Sequence, residues 1–167
     1  MRAHTIPAAL VFALAFCCAA WSQTRPFGVG VIGPDPTGGT AKVWFNRFFA
    51  LDFAAGADFG PYSHLLFDYR LPAAFQAHGD FLVHLPLLVH RRGLRLPLYI
   101  GVGPQYGFWR HDGVVEQYWR CRTPIGLALL LPRVPFPWEL FAEFVPTWAP
   151  RPQLFDPDVA TGVRYYF

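Results

Sequence analysis

The sequence predicts an all-β fold, a transmembrane antiparallel up-and-down β-barrel of eight strands that follows an N-terminal signal peptide. Three observations carry that expectation. Runs of period two recur along the chain and no helical period competes with them after the first 22 residues. Within those runs the charged residues keep to one parity and the apolar residues to the other. The stretch Val159 to Phe167 sets Val159, Thr161, Val163, Tyr165 and Phe167 against Ala160, Gly162, Arg164 and Tyr166. One face suits lipid and the other a polar lumen.

At the N-terminus, Arg2 precedes a charge-free run from Ile6 to Ala20, and Ala20-Trp21-Ser22 places small residues where a signal peptidase reads. Residues 1–22 are therefore expected to be a cleaved signal and 23–167 a single outer-membrane β-barrel domain. An uncleaved anchor is disfavoured, because the run is shorter than the roughly 20 residues of a full span and contains Pro7. Removing 22 of 167 residues leaves 145. That is about 18 for each of eight strand-plus-connection units, where a tilted membrane strand needs roughly 9–11.

Hydrophobic residues make up 53% of the chain and charged residues 15%, against roughly 45–50% and 25% in soluble domains. This composition leans toward a membrane. After Ala20, however, no stretch of about 18 residues is free of both charge and repeated Pro or Gly, which argues against a helical inner-membrane protein. The formal charge of +3 becomes +2 without Arg2, too small a balance to indicate a nucleic-acid partner or an anionic membrane surface. Cys17 and Cys18 fall in the signal and Cys121 alone survives it, so no intrachain disulfide is expected. Phe16 stands where a lipoprotein peptidase wants a small residue, which disfavours lipidation at Cys17. Cys121 reads as a small apolar residue on the lipid side of a strand.

The strands are expected in this order. Phe27–Ile32 is the first, and the breakers of Gly33–Gly39 make a loop. Thr40–Asn46 is the second, with Ala41, Val43 and Phe45 opposite Lys42 and Trp44; a tight connection through Asn46 and Arg47 leads to the third, Ala50–Asp58. Between Gly60 and Arg92 both His64–Leu71 and Asp80–Val89 could be strands. Using both gives nine, and bacterial single-chain barrels have even numbers. Asp80–Val89 is favoured as the fourth, because the short turn His90-Arg91-Arg92-Gly93 joins it to the fifth; Pro61–Gly79 then becomes a long extracellular loop. Leu96–Phe108, Tyr118–Leu130, Glu139–Trp148 and the run ending at Phe167 complete the set.

A Lys or Arg on the lipid face near mid-bilayer costs roughly 2–4 kcal/mol. Parity therefore sends Lys42, Asp52, Arg120, Arg122, Glu139, Glu143 and Arg164 inward together as a luminal charge network. An eight-stranded barrel is just wide enough for side chains to fill, so these groups should pair. Outward aromatics sort by strand end: Phe45, Trp138, Tyr165 and Phe167 toward the periplasmic rim, Tyr106, Phe108, Trp119 and Trp148 toward the outer one. No catalytic, cofactor-binding or metal-binding residues are expected. Only Ser22 and Ser63 occur, which leaves Ser63 beside His64 as the single serine candidate, and His64, His78, His84, His90 and His111 lack metal-ligand spacing. These histidines read as solvated loop residues, with His84 luminal. Gly101-Val102-Gly103 lies mid-strand with no helix after it, so it is not a phosphate loop.

Taken in order, Phe27–Ile32 with its Pro/Thr/Gly loop, Thr40-Ala41-Lys42-Val43-Trp44, Ala50-Leu51-Asp52-Phe53, Leu96–Gly103 and Gly162–Phe167 resemble the small OmpA/OmpX-like outer-membrane β-barrel proteins over nearly all of the mature chain. The resemblance implies the fold and a place in the outer membrane of a Gram-negative-type bacterium, and it transfers no catalytic residues. It also implies that Tyr165 and Phe167 form a signal read by the outer-membrane β-barrel assembly machinery. The segment Pro61–Gly79 is longer than the resemblance leads one to expect. The expected partners are outer-membrane lipid and that machinery, with no nucleic acid, for a monomer without cofactors. The expected role is structural or surface-interacting, with loops Gly33–Gly39, Pro61–Gly79, Arg110–Gln117 and Pro150–Pro157 presented to partners. The alternatives are a lipid-modifying outer-membrane enzyme, a narrow pore, and a soluble barrel of lipocalin type.

Overall fold

The computed structural model describes residues 25–58, 74–85, 89–91, 94–111, 114–131, 137–150 and 153–167. The expected signal Met1–Ser22, the stretch His64–Leu71 and the candidate Ser63 lie outside the described residues. The strands are β1 (Phe27–Pro34), β2 (Thr37–Trp44), β3 (Phe49–Asp58), β4 (Ala74–His84), β5 (Val89–Arg91), β6 (Leu94–Leu96), β7 (Leu98–His111), β8 (Val114–Arg122), β9 (Ile125–Leu131), β10 (Trp138–Pro150) and β11 (Gln153–Tyr166). No helix occurs among the described residues.

These eleven segments form eight antiparallel staves, because three staves are each cut in two. Pro97 separates β6 from β7, and Thr123-Pro124 separates β8 from β9. Proline lacks the N–H that a ladder needs but keeps its acceptor. Accordingly Pro97 O accepts from Ala128 N at 3.1 Å and Pro124 O from Gly101 N at 2.8 Å, so the ladder holds its register across both breaks. In the third case the register moves by two residues between His84↔Tyr99 and Val89↔Leu96, and β5 continues β4.

Pairing of β1 with β11 closes the sheet on itself and removes the free edge that an open sheet would expose. Following neighbours from Tyr166 passes Gly28, Lys42, Asp52 and Asp80, then Gly103, Arg122, Thr147 and Asp156. The circuit thus returns to β11 at Asp156, ten residues before its start at Tyr166. That stagger, with strands about 4.8 Å apart and about 3.3 Å of rise per residue, sets a strand tilt of roughly 40° and a barrel radius of roughly 8 Å.

From Tyr166 to Thr147 every residue on that circuit shares the inward parity. Four inward glycines sit directly opposite inward aromatics: Gly28 and Tyr166, Gly107 and Tyr118, Gly126 and Tyr99, Gly162 and Phe141. A Cβ on Gly107 would lie 2.3 Å from the Tyr118 ring, and one on Gly162 would lie 2.4 Å from the Phe141 ring. The missing side chains are what allow rings to lie flat against the inner wall of so narrow a barrel.

Three expectations are corrected. The fourth strand begins at Ala74, so Ala74–Gly79 belongs to β4 and not to a loop, and His90 and Arg91, expected in a turn, pair with β6 as part of β5. The Gly33–Gly39 loop shrinks to a turn at Asp35-Pro36, with β1 reaching Pro34 and β2 starting at Thr37. Its glycines serve strand packing: a Cβ on Gly38 would lie 2.1 Å from Ala55 O and 2.5 Å from Gly56 Cα. Likewise β7 and β8 run to His111 and from Val114, and β10 and β11 run to Pro150 and from Gln153, so the expected loops Arg110–Gln117 and Pro150–Pro157 are mostly strand.

Candidate functional site: the closed lumen and the outer wall

Inward residues of β2, β3, β10 and β11 meet at one centre. Arg164 is 1% exposed, and its Nη2 donates to Asp52 Oδ1 at 2.7 Å and Oδ2 at 2.6 Å, while Nη1 donates to Glu139 Oε1 at 2.8 Å. Lys42, fully buried, donates to Glu139 Oε1 at 3.1 Å and lies 3.1 Å from His84 Nε2. The Lys42 ammonium also sits 4.6 Å from the Trp44 ring centroid and 5.2 Å from that of Tyr99. Tyr166 donates its hydroxyl proton to Glu139 Oε2 and accepts from Trp44 Nε1 at 3.0 Å. Thr40 Oγ1 accepts from Arg164 Nε at 3.1 Å and Nη2 at 2.8 Å. Glutamate 139 therefore receives three donors and Arg164 spans two carboxylates, the satisfaction that buried charges require.

A second group adjoins it. Arg122 Nη2 donates to Glu143 Oε1 at 3.3 Å, and Glu143 Oε2 accepts from Tyr99 OH at 3.1 Å. Arg122 Nη1 lies 2.6 Å from His78 Nδ1. Arg122 Nε lies 2.9 Å from Asp80 Oδ2, a close charge contact whose angle is not that of a hydrogen bond. Gly103 stands between Asp80 and Arg122 in the register, and a Cβ there would come 2.3 Å from Asp80 Oδ1. Without a side chain on Gly103, the two charges meet across it.

These bonds tie β2 to β10, β3 to β11, β4 to β8, and β7 to β10, so they cross the lumen as well as running along its wall. Of the seven residues that parity sends inward, Lys42, Asp52, Glu139 and Arg164 share the first group, and Arg122 and Glu143 the second. Arg120 lies half-buried further along β8, its guanidinium 4.7 Å from the Tyr118 ring centroid, held by contacts of its own. Sequence reasoning missed Asp80, His78 and Gln76, all buried. Extending the parity of β4 back from Val83 through Phe81, Gly79, Ala77 and Phe75 would have found all three, on the opposite parity.

The outer wall is the reverse of the lumen. Val31 is 60% exposed, and Phe53, Ile100, Val102, Leu127, Leu140, Phe144 and Val159 are exposed with it, a band that would be costly in water. Aromatic rings border the band at both ends. Near Phe167 are the pairs Phe27–Phe167 at 6.4 Å between centroids, Phe49–Phe81 at 5.7 Å and Trp138–Tyr165 at 5.5 Å. Toward the other end are Phe75–Phe108 at 5.5 Å and Tyr106–Trp119 at 4.7 Å, with Trp148 exposed nearby. Two rings of aromatics around an apolar belt are what a bilayer's two interfaces select. Phe167 also closes the seam, its N–H donating to Phe27 O at 2.9 Å.

Among the described residues no group of His, Cys, Asp or Glu could hold a metal ion. An open depression lined by Val31, Gly33, Thr37, Leu140, Thr161 and Val163, among others, offers no titratable side chain. Cys121 is free and exposed on the outer wall.

Closed sheet, paired lumen and apolar belt together define a transmembrane β-barrel of the bacterial outer-membrane type, with the OmpA/OmpX-like architecture of eight staves. No protein-family model matches the chain, and no curated protein matches it in sequence. Among solved structures, the N-terminal β-barrel domain of Pseudomonas aeruginosa OprF is similar, with a TM-score of 0.55 at 14% identity, over 87% of this chain and 98% of that one. Ail, the attachment invasion locus protein of Yersinia pestis, aligns with a TM-score of 0.44 at 14% identity, over 84% of this chain and 96% of that one.

Proposed function

We propose that the protein is a structural or surface-interacting component of the outer membrane, without a catalytic role and with its lumen closed. The observation that supports this most is the buried ion-pair system, in which Arg164 and Arg122 each hold two carboxylates across a barrel of roughly 8 Å radius. Side chains bonded in this way stand where an ion stream would have to pass. Its partners on this reading are outer-membrane lipid around the belt and, during biogenesis, the assembly machinery that reads Tyr165 and Phe167. Planar-bilayer recording tests the closed lumen: purified barrel should give no stepwise conductance, and regular single-channel steps would replace this reading with the narrow pore. Incubation with lipopolysaccharide and phospholipid followed by mass spectrometry tests the rest, since hydrolysis or acyl transfer would make the protein an enzyme.

A further inference from the structure

The two ends of the barrel carry opposite charge. At the end where Arg25 and Phe167 lie, the described residues include Arg25 before β1, Arg47 in the turn from β2 to β3 and Arg95 in β6, and no Asp or Glu. Toward the other end stand Asp35 and Asp158. The lumen between is balanced, with Lys42, Arg120, Arg122 and Arg164 facing Asp52, Asp80, Glu139 and Glu143. The cationic excess is thus a property of one rim and not of the protein as a whole.

The same rim bears an aromatic ring, and that ring fixes its depth. Phe27, Phe49, Phe81, Trp138 and Phe167 are exposed at this end, and side chains of that kind settle at headgroup level. Arg47 is exposed, with its guanidinium 4.5 Å from the centroid of the exposed Phe48 ring. Arg25 is exposed and donates from Nη1 to Tyr166 O at 3.4 Å. The guanidinium groups therefore stand beside the rings, at the depth where lipid phosphates lie. A guanidinium offers paired N–H donors that match two phosphate oxygens, and no Asp or Glu side chain among the described residues at this rim competes for them.

We propose that this arginine rim is a docking surface for anionic phospholipid headgroups in the leaflet it faces. Arg25 and Arg47 hold the phosphodiester charge while the neighbouring aromatics cover the upper acyl chain. The occupant is a lipid and not a free anion, because Arg25 and Arg47 are exposed on neighbouring segments of an open rim continuous with the apolar belt. The proposal rests on the membrane reading of the barrel, and the test checks folding separately.

The experiment uses the folded full-length barrel in mixed micelles containing equal phosphatidylglycerol and phosphatidylcholine. Native mass spectrometry counts the lipids that stay bound, and heat-modifiable mobility verifies folding of each protein. Wild type should retain phosphatidylglycerol in preference. The double variant Arg25→Gln, Arg47→Gln should lose that preference by roughly tenfold or more at low salt, whereas Arg95→Gln, on the inward parity, should keep it. Raising salt from about 50 mM to about 500 mM should erase the preference of wild type itself, a check that stands if the double variant does not fold. Inorganic phosphate at matched ionic strength should leave it intact. Equal retention of the two lipids by wild type, persistence of the preference in the folded double variant, persistence at high salt, or displacement by phosphate would each overturn the proposal.

Discussion

Removing the guanidinium of Arg164 should destabilise the barrel by more than any other single truncation in the lumen. In Arg164→Met, the two bonds to Asp52 at 2.7 and 2.6 Å, the bond to Glu139 at 2.8 Å and both bonds to Thr40 are lost together. The two carboxylates fare differently. Glu139 keeps Lys42 at 3.1 Å and the Tyr166 hydroxyl, whereas Asp52 keeps the Thr40 hydroxyl at 3.3 Å. A buried carboxylate deprived of its ion-pair partner costs about 3–5 kcal/mol. Most of that penalty belongs to Asp52, so it should be relieved by removing Asp52 as well. The expected cost of Arg164→Met is about 3–5 kcal/mol, and Arg164→Met combined with Asp52→Leu should be at least about 2 kcal/mol more stable than the sum of the single effects. Reversible urea unfolding in phospholipid vesicles, followed by tryptophan fluorescence, measures each term. A single variant within about 1 kcal/mol of wild type, or strict additivity of the pair, would refute the reasoning.

Three further outcomes follow from the same geometry. A Cβ on Gly103 would lie 2.1 Å from Gly79 O and 2.3 Å from Asp80 Oδ1, whereas one on Gly39 meets nothing within 4 Å. Gly103→Ala should therefore cost about 1–3 kcal/mol, and Gly39→Ala should be neutral or stabilise by up to about 1 kcal/mol in the same unfolding assay. Val102, 54% exposed in the apolar belt, should lose roughly 2–4 kcal/mol of folding free energy on replacement by Arg in a bilayer; a cost near zero would place that face in water. Cys121, exposed beside Trp148 in the ladder, should react in vesicles with an uncharged lipid-soluble maleimide and resist a membrane-impermeant charged one; rapid charged labelling would move this position out of the hydrocarbon.

Much of the fold was legible because a lipid bilayer enforces parity more strictly than a protein core does. Lys42, Asp52 and Glu139 could not face lipid, and each fixed the orientation of its strand. The fourth strand was harder to read. In Ala74–Gly79 the outward positions are Phe75, Ala77 and Gly79, and two small side chains out of three give little hydrophobic contrast. A charge count held the missing clue: Lys42, Arg120, Arg122 and Arg164 outnumber Asp52, Glu139 and Glu143 by one, and the absent acid is Asp80 on that strand. The Gly33–Gly39 segment misled for a different reason. Glycine marks turns, but it also marks places where two strands lie too close for a Cβ, and Gly38 against Gly56 is the second kind. Which carboxylate each cation would hold was beyond sequence reasoning, since Lys42 and Asp52 are ladder neighbours and yet bond across the lumen to Glu139 and Arg164.

The most direct test of a closed membrane barrel locked by its luminal ion pairs is the electrophoretic mobility of the outer-membrane fraction in detergent, with and without boiling. The unboiled protein should migrate as a compact band that shifts on heating. Recovery in the soluble fraction with a single unshifted band would contradict both the membrane belt and the locked barrel.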